Sequence, residues 1–288
     1  MNTVNISIFN AGFCTCPEHL AIQGGRWRNI RFPAMFALFE HPRFGAMLFD
    51  TGYSYRFFDE TRSFPNRFYR MTTPVTLREE QLAANQLSAI NIKPADITKI
   101  FISHFHADHI AALADFPRAK YVYLPPAYNS LRGLQGMAAF KHAYLPGLIP
   151  NDFDQRAEPV DVLKPVPLPP EFSPFTHGFD LLGDESLLAI ELPGHANGQM
   201  GLFARDTNGV AYFFVADAAW LGRSIEENRP PHPVANLLFS EPSEYRTTLN
   251  NLQSFAKNQT SVHLIPSHCE TTLRKYSSII TSGGADSK

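Results

Sequence analysis

The run Ile102-Ser103-His104-Phe105-His106-Ala107-Asp108-His109 places four metal-binding side chains, His104, His106, Asp108 and His109, within six residues. Imidazole nitrogens and carboxylate oxygens suit zinc, and also iron, manganese or cobalt. One ion on a short turn does not collect all four, so partners are expected downstream. His195, Asp217 and His268 are there to serve. Each stands at or just past the end of an apolar run: Leu187 to Leu192 ahead of a Pro193-Gly194 turn, Ala211 to Ala216, and Val262 to Ser267. Sites in layered α/β folds are assembled at such strand ends.

The elements that must position these groups are read from patterning. Ile97 to Ile102 reads as a buried strand and Ile110-Ala111-Ala112-Leu113 as a helix start, so the ligand block occupies a strand-to-helix turn. Val4 to Asn10, Ala34 to Phe39 and Ala46 to Asp50 read as strands, and the last of them runs into Phe49-Asp50-Thr51-Gly52. Thr76 is expected to N-cap a helix, with Glu79 completing a capping box and Leu82, Ala83, Leu87 and Ile90 continuing its apolar face. Tyr121 to Leu124 is a further strand, stopped by Pro125-Pro126. Met200 to Arg205 and Val210 to Ala216 flank Asp206-Thr207-Asn208-Gly209, the pattern of a hairpin. Ser243 to Lys257 is an amphipathic helix, and the tail from Ser277 is expected to fray. Between Tyr53 and Met71, aromatics alternate with Arg56, Arg62, Arg67 and Arg70, which suits a substrate lid or a subunit interface.

This constellation resembles the metallo-β-lactamase-fold hydrolases. The likeness covers most of the chain: His104-x-His106-x-Asp108-His109, then His195, Asp217 and His268 in that order, after a strand ending in Asp50-Thr51-Gly52. It implies an α/β fold, the αββα four-layer sandwich, as one domain over residues 1–288. The proline-rich stretch 126–182 would be an insertion covering the site and setting specificity. It also implies two divalent metal ions, zinc first, with iron or manganese as alternatives. His104, His106 and His195 would hold one ion, Asp108, His109 and His268 the other, and Asp217 would bridge them. Two ions about 3.5–4 Å apart make hydroxide available near neutral pH for attack on a carbonyl. Asp108 would orient that hydroxide, and Asp50 would hydrogen-bond a ligand imidazole and fix its tautomer.

Within that family the pattern is most similar to the acyl-homoserine-lactone lactonases, in length, in Asp50-Thr51-Gly52 and in the interval from His195 to Asp217. One position departs. Those enzymes often carry a tyrosine three residues beyond the bridging aspartate, where its hydroxyl polarises the lactone carbonyl; here Trp220 stands there. Tyr53 or a backbone N–H would then take that role. The expected activity is opening of a small lactone or ester. The alternative is a thioester hydrolase of the glyoxalase II or acyl-thioesterase type, with an iron redox protein or a phosphodiesterase ranked below both.

Composition bounds the partners. The 288 residues are 44% hydrophobic, enough for a large core, and a net charge of −2 with 18% charged residues gives no nucleic-acid footprint. No basic segment followed by an apolar stretch opens the chain and no apolar run spans a membrane, so a cytoplasmic protein with a small-molecule substrate is expected. The arginine–aromatic segment makes a homodimer worth testing. Three cysteines, Cys14, Cys16 and Cys269, do not make a disulfide framework. Cys269 reads as a buried small residue beside His268. Of the eleven histidines, His19, His41, His142, His177, His232 and His263 read as structural.

Overall fold

Strands early and late in the chain build two six-stranded sheets, and the proline-rich stretch 126–182 itself contributes Val166–Pro167 and His177–Asp180 to the second. In the computed structural model, which describes residues 2–277, the first sheet contains β1 (Asn5–Pro17), β2 (Asn29–His41), β3 (Gly45–Phe49), β4 (Val75–Thr76), β5 (Ile97–Phe101) and β6 (Lys120–Val122), in the order β4-β1-β2-β3-β5-β6. The second contains β7 (Val166–Pro167), β8 (His177–Asp180), β9 (Leu187–Glu191), β10 (Met200–Arg205), β11 (Ala211–Ala216) and β12 (Val262–Pro266), in the order β12-β11-β10-β9-β8-β7. Pairing is antiparallel except for β3–β5, β5–β6 and β11–β12. The expected fraying beyond Ser277 lies outside the described residues.

Side-chain alternation explains how the sheets stack. Met35, Ala37 and Phe39 of β2 point between the sheets, against Met200, Leu202 and Phe214. Their neighbours Phe36 and Leu38 point outward, to Phe57 of the helix Tyr55–Glu60 and Leu87 of the helix Ala83–Ala89. In β9, Leu187 and Ala189 join the inner core while Leu188 and Ile190 face outward with Phe203 and Phe213. The helix Pro242–Asn258 covers that outer face with Leu249, Leu252 and Phe255. Leu249 and Leu252 are fully buried, and each such side chain contributes about 1.5–3 kcal/mol. Helix, sheet, sheet and helix form the expected αββα sandwich.

Several boundaries differ from the sequence reading. Thr76 caps no helix: Val75 and Thr76 pair with Cys14 and Phe13, and the α-helix begins at Ala83 after a 3-10 turn in which the Arg78 N–H donates to Gln81. Strand pairing has overridden a local capping pattern. The helix expected from Ile110 ends there instead, as the single turn Ala107–Ile110. The 206–209 hairpin is organised by Asp206, whose carboxylate accepts from the Asn208 and Val210 amides, with the left-handed residue at Gly209 alone. The arginine–aromatic stretch splits in two. Tyr53 and Phe57 are buried in the core, whereas Phe64, Phe68 and Met71 are exposed. No described helix is long and apolar enough to cross a membrane.

Candidate metal centre

The backbone leaves each strand in a way that turns a ligand towards one point. Beyond β5 the Ile102 N–H still bonds the Val122 carbonyl at 2.8 Å, after which the ligand block leaves the sheet. The loop after β3 is tied to that block: the Asp50 N–H reaches Phe101 O, and both the N–H and the hydroxyl of Thr51 reach the His109 carbonyl, each at 2.9 Å. Gly52 has φ 68°, and a Cβ there would lie 2.3 Å from that of Ala11, so this turn is closed to any side chain. In the second sheet the register of β11 on β12 shifts between Phe214 and Ala216, and Ala216 has φ 49°. Such a bulge re-aims the side chain that follows it, here Asp217. His195 follows Gly194, where a Cβ would fall 2.0 Å from the Tyr245 nitrogen.

All seven predicted ligands converge. His104, His106, His195 and Asp217 form one group and Asp108, His109 and His268 another, with ligand atoms in each group within 4.8 Å of one another. In the first, His195 Nε2 lies 3.0 Å from His106 Nδ1 and 3.2 Å from Asp217 Oδ2, and His104 Nε2 lies 4.0 Å from that oxygen. In the second, Asp108 Oδ2 lies 3.4 Å from His268 Nε2 and 3.7 Å from His109 Nε2. Asp217 Oδ1 completes it, 3.1 Å from His268 Nε2 and 3.4 Å from His109 Nε2. Tetrahedral zinc with bonds of 2.0–2.1 Å separates neighbouring ligand atoms by roughly 3.3 Å, so both groups fit an ion. Buried His104 Nε2, His109 Nε2 and Asp217 Oδ1 have no hydrogen-bond partner, as expected of atoms reserved for coordination.

A hydrogen-bonded layer behind the ligands assigns their tautomers. The Asp50 carboxylate accepts from the Ser103 N–H, the Ser103 hydroxyl and His109 Nδ1, each at 2.8 Å. The Ser103 hydroxyl also lies 3.0 Å from His104 Nδ1, and the Pro33 carbonyl lies 2.8 Å from His268 Nδ1. With Nδ1 protonated, the Nε2 lone pairs of His104, His109 and His268 face the site. His195 is held by packing instead, with the rings of Phe239 and Trp220 edge-on at 5.3 and 6.0 Å.

Burial dominates the electrostatics. It holds His104 and His195 well below the usual imidazole range and His106 down to about 4, so these three are neutral, as ligation demands. Burial also opposes charging of His109 and His268. In His109 the carboxylates Asp108, Asp50 and Asp217 outweigh it, and in His268 Asp217 and Asp108 do, so both are raised. Asp217 resists desolvation because His268, His109 and His195 surround it, which keeps its carboxyl well below the carboxylate range. Burial pushes Asp50 up, against the pull of His109 and Ser103.

Tyr53 is fully buried behind the site, its ring edge-on to Phe57 at 5.1 Å and its hydroxyl partnered with the Cys14 thiol. Trp220 already donates its indole N–H to Asp217 Oδ2 at 3.1 Å. Cys269 is buried and belongs to neither ligand group. Of the six structural histidines, His142 alone comes near, lining a small cavity of about 20 Å³ with His106, Ser130, Leu131, Asn197 and Ser240. Ser103, Pro33 and Phe32, whose ring stacks on His268 at 5.1 Å, were not anticipated. Only Ser103 had a signal, its place between the strand end and the first ligand.

The profile of the Metallo-beta-lactamase superfamily matches residues 40–268. A protein of Rhizobium radiobacter named N-acyl homoserine lactonase AttM is 26% identical over 240 residues, covering 80% of this chain and 82% of its own. Among solved structures, an N-acyl homoserine lactone hydrolase with N-hexanoyl-L-homoserine at its catalytic metal center superposes with a TM-score of 0.72 at 17% identity, over 95% of this chain and 97% of its own. AidC, a dizinc quorum-quenching lactonase, superposes with a TM-score of 0.61 at 15% identity, over 93% and 90%.

Proposed function

The chain belongs to the metallo-beta-lactamase superfamily, and from that premise we propose that it is a two-metal hydrolase that opens small lactones, with zinc as its ion. The observation that carries this reading is the convergence of two ligand groups on the two oxygens of Asp217. The lactone as substrate is supported by the AttM relative and by the structural neighbour carrying a ring-opened homoserine product. Zinc is supported by the nitrogen–oxygen donor set and by the dizinc neighbour.

His104, His106 and His195 would hold one ion, Asp108, His109 and His268 the other, with Asp217 shared. When bound, such a pair supplies a Lewis acid for the carbonyl oxygen and lowers the pKa of water at the site. The remaining work falls to the chain's own groups. Asp217 distributes one negative charge over two positions, which a neutral imidazole does not do. Asp50 and Ser103 orient His109 and His104, and Pro33 orients His268. Asp108 has a side chain 11% exposed, against 5% for Asp217. It is the more open carboxylate and serves to hold a proton in transit to the departing alkoxide. Of the stretch 126–182, Ala127, Ser130, Leu131 and His142 line a small cavity with His106 and would be the part that covers the site, whereas 166–167 and 177–180 are strands of the second sheet.

The test is a metal count on purified protein with a panel of acyl-homoserine lactones, γ-lactones, S-lactoylglutathione, acyl-CoA and a phosphodiester. Two ions per chain with lactone turnover, and loss of both turnover and bound metal in Asp108→Ala and Asp217→Ala, is the expected result. Turnover of thioesters alone would overturn the substrate. Full activity in either variant would overturn the two-metal site.

A further inference from the structure

We propose that Trp220 is a positioning residue that pins the shared carboxylate and so sets the affinity of the ion at the His104–His106–His195 position. The inference rests on the two-ion reading above. Its geometric basis is the indole N–H on Asp217 Oδ2 at 3.1 Å, with Trp220 8% and Asp217 3% exposed. Oδ2 is the oxygen that faces His195 and His104, whereas Oδ1 faces His109.

His268 Nε2 also approaches Oδ2, at 3.2 Å. An imidazole nitrogen that ligates carries no hydrogen, so in the loaded protein none of the ligand histidines donates to Asp217 through Nε2. Among the hydrogen bonds that reach this carboxylate in the described residues, the Trp220 N–H is then the one that remains. A carboxylate spanning two positions must keep its plane fixed, and a single directional donor on one oxygen does that.

The indole is held firmly enough to act in this way. Phe32 packs edge-on against it at 5.7 Å and stacks on His268 at 5.1 Å. Phe239 packs edge-on against it at 5.7 Å, lies 5.3 Å from His195 and stacks on Tyr245 at 4.3 Å. Trp220 therefore sits between the phenyl rings that back one histidine from each ligand group. With its N–H directed at Oδ2, it is a support of the metal centre rather than a donor to substrate.

The chain has two tryptophans, Trp220 and Trp27, and Trp27 is 89% exposed. The indole region of a ¹H–¹⁵N spectrum thus holds two signals, which a Trp27→Phe variant assigns. The Trp220 signal should exchange slowly with water and shift when Zn2+ is added, while that of Trp27 should do neither. Replacing Trp220 with benzothienylalanine keeps the bicyclic shape and removes the N–H. Chelator-competition titration with Zn2+ should then show about a 10–100-fold loss for one ion, with the other unchanged and the metal-free melting temperature preserved. Trp220→Phe should show the same loss. Unchanged affinity for both ions in the benzothienyl variant, or a Trp220 N–H that exchanges as fast as that of Trp27, overturns the inference alone. A wild-type protein that binds no Zn2+ overturns it together with the proposed function.

Discussion

Asp50→Asn changes one oxygen to an amide nitrogen at the most densely bonded point behind the metal centre. The carboxylate takes three hydrogens at 2.8 Å: Ser103 N–H on Oδ1, and the Ser103 hydroxyl and His109 Nδ1 on Oδ2. Asparagine has two placements and neither works. With its oxygen towards the Ser103 amide, its NH2 faces His109 Nδ1, which must then accept. The imidazole proton moves to Nε2 and removes the lone pair an ion would use. With the amide reversed, NH2 meets the Ser103 N–H, and a buried donor left without an acceptor costs about 1–3 kcal/mol. The first placement should weaken the ion at the Asp108–His109–His268 position by about 10–100-fold, or about 1.4–2.7 kcal/mol. The second should instead appear as a lower melting temperature of the metal-free protein. Zn2+ titration against a chelator and thermal melts separate the two. Ser103→Ala is the comparison: it keeps the His109–Asp50 contact but removes the acceptor at His104 Nδ1, so the Asp108–His109–His268 position should keep its affinity while the His104–His106–His195 position weakens. If Asp50→Asn keeps two ions at wild-type affinity and an unchanged melting temperature, Asp50 does not set the tautomer of His109.

Gly194→Ala should destabilise the fold by about 3 kcal/mol or more, because φ is 120° and the new Cβ would meet the Tyr245 nitrogen at 2.0 Å; a melting temperature within a degree of wild type would contradict this placement of the His195 loop. Asp184→Asn probes a pair remote from the site, His41 Nε2 on Asp184 Oδ2 at 2.9 Å. Burial disfavours the Asp184 carboxylate, yet hydrogen bonds from Ser186 and Asn2 and the nearby His41 outweigh it and lower its pKa. The stabilisation is therefore fully present above the unfolded value of about 3.9 and is lost as pH falls through the lower folded value. Melts from pH 7 downward should show the variant less stable at neutral pH and the gap closing below about pH 4. A gap that stays constant with pH would refute the assignment.

What was legible in the sequence was legible for chemical reasons. His104, His106, Asp108, His109, His195, Asp217 and His268 are residue types that few roles other than coordination bring together after apolar strands, and the structure collects all seven. The apolar runs of β2 and β9 were legible as strands, but their faces were not, because both sides of each strand are apolar and packing alone separates them. The support layer was harder to see. Pro33 acts through a carbonyl, which every residue has, and Phe32 is an aromatic among twenty-four phenylalanines. Thr76 carried a real capping pattern, but pairing with Phe13 supplied a competing set of backbone partners that no local window contains. Asp206 rather than Asn208 organises its turn because a carboxylate accepts two amides at once.

The placement of the ligands on the two sheets explains why the shared carboxylate matters. His104, His106, Asp108 and His109 all follow β5 in the first sheet, whereas His195, Asp217 and His268 follow β9, β11 and β12 in the second. Each group draws on both sheets: two residues of the first group come from the first sheet and are closed by His195, and two of the second are closed by His268. Neither group is complete until the apolar faces of Met35, Phe39, Met200 and Phe214 have met. Folding of the sandwich thus creates the site, and any ion bound there crosslinks the sheets in return. Asp217 belongs to the second sheet yet lies within 3.4 Å of His109 from the first. It therefore joins both groups across the same seam. A bulge at Ala216, strained in isolation, is what puts it there.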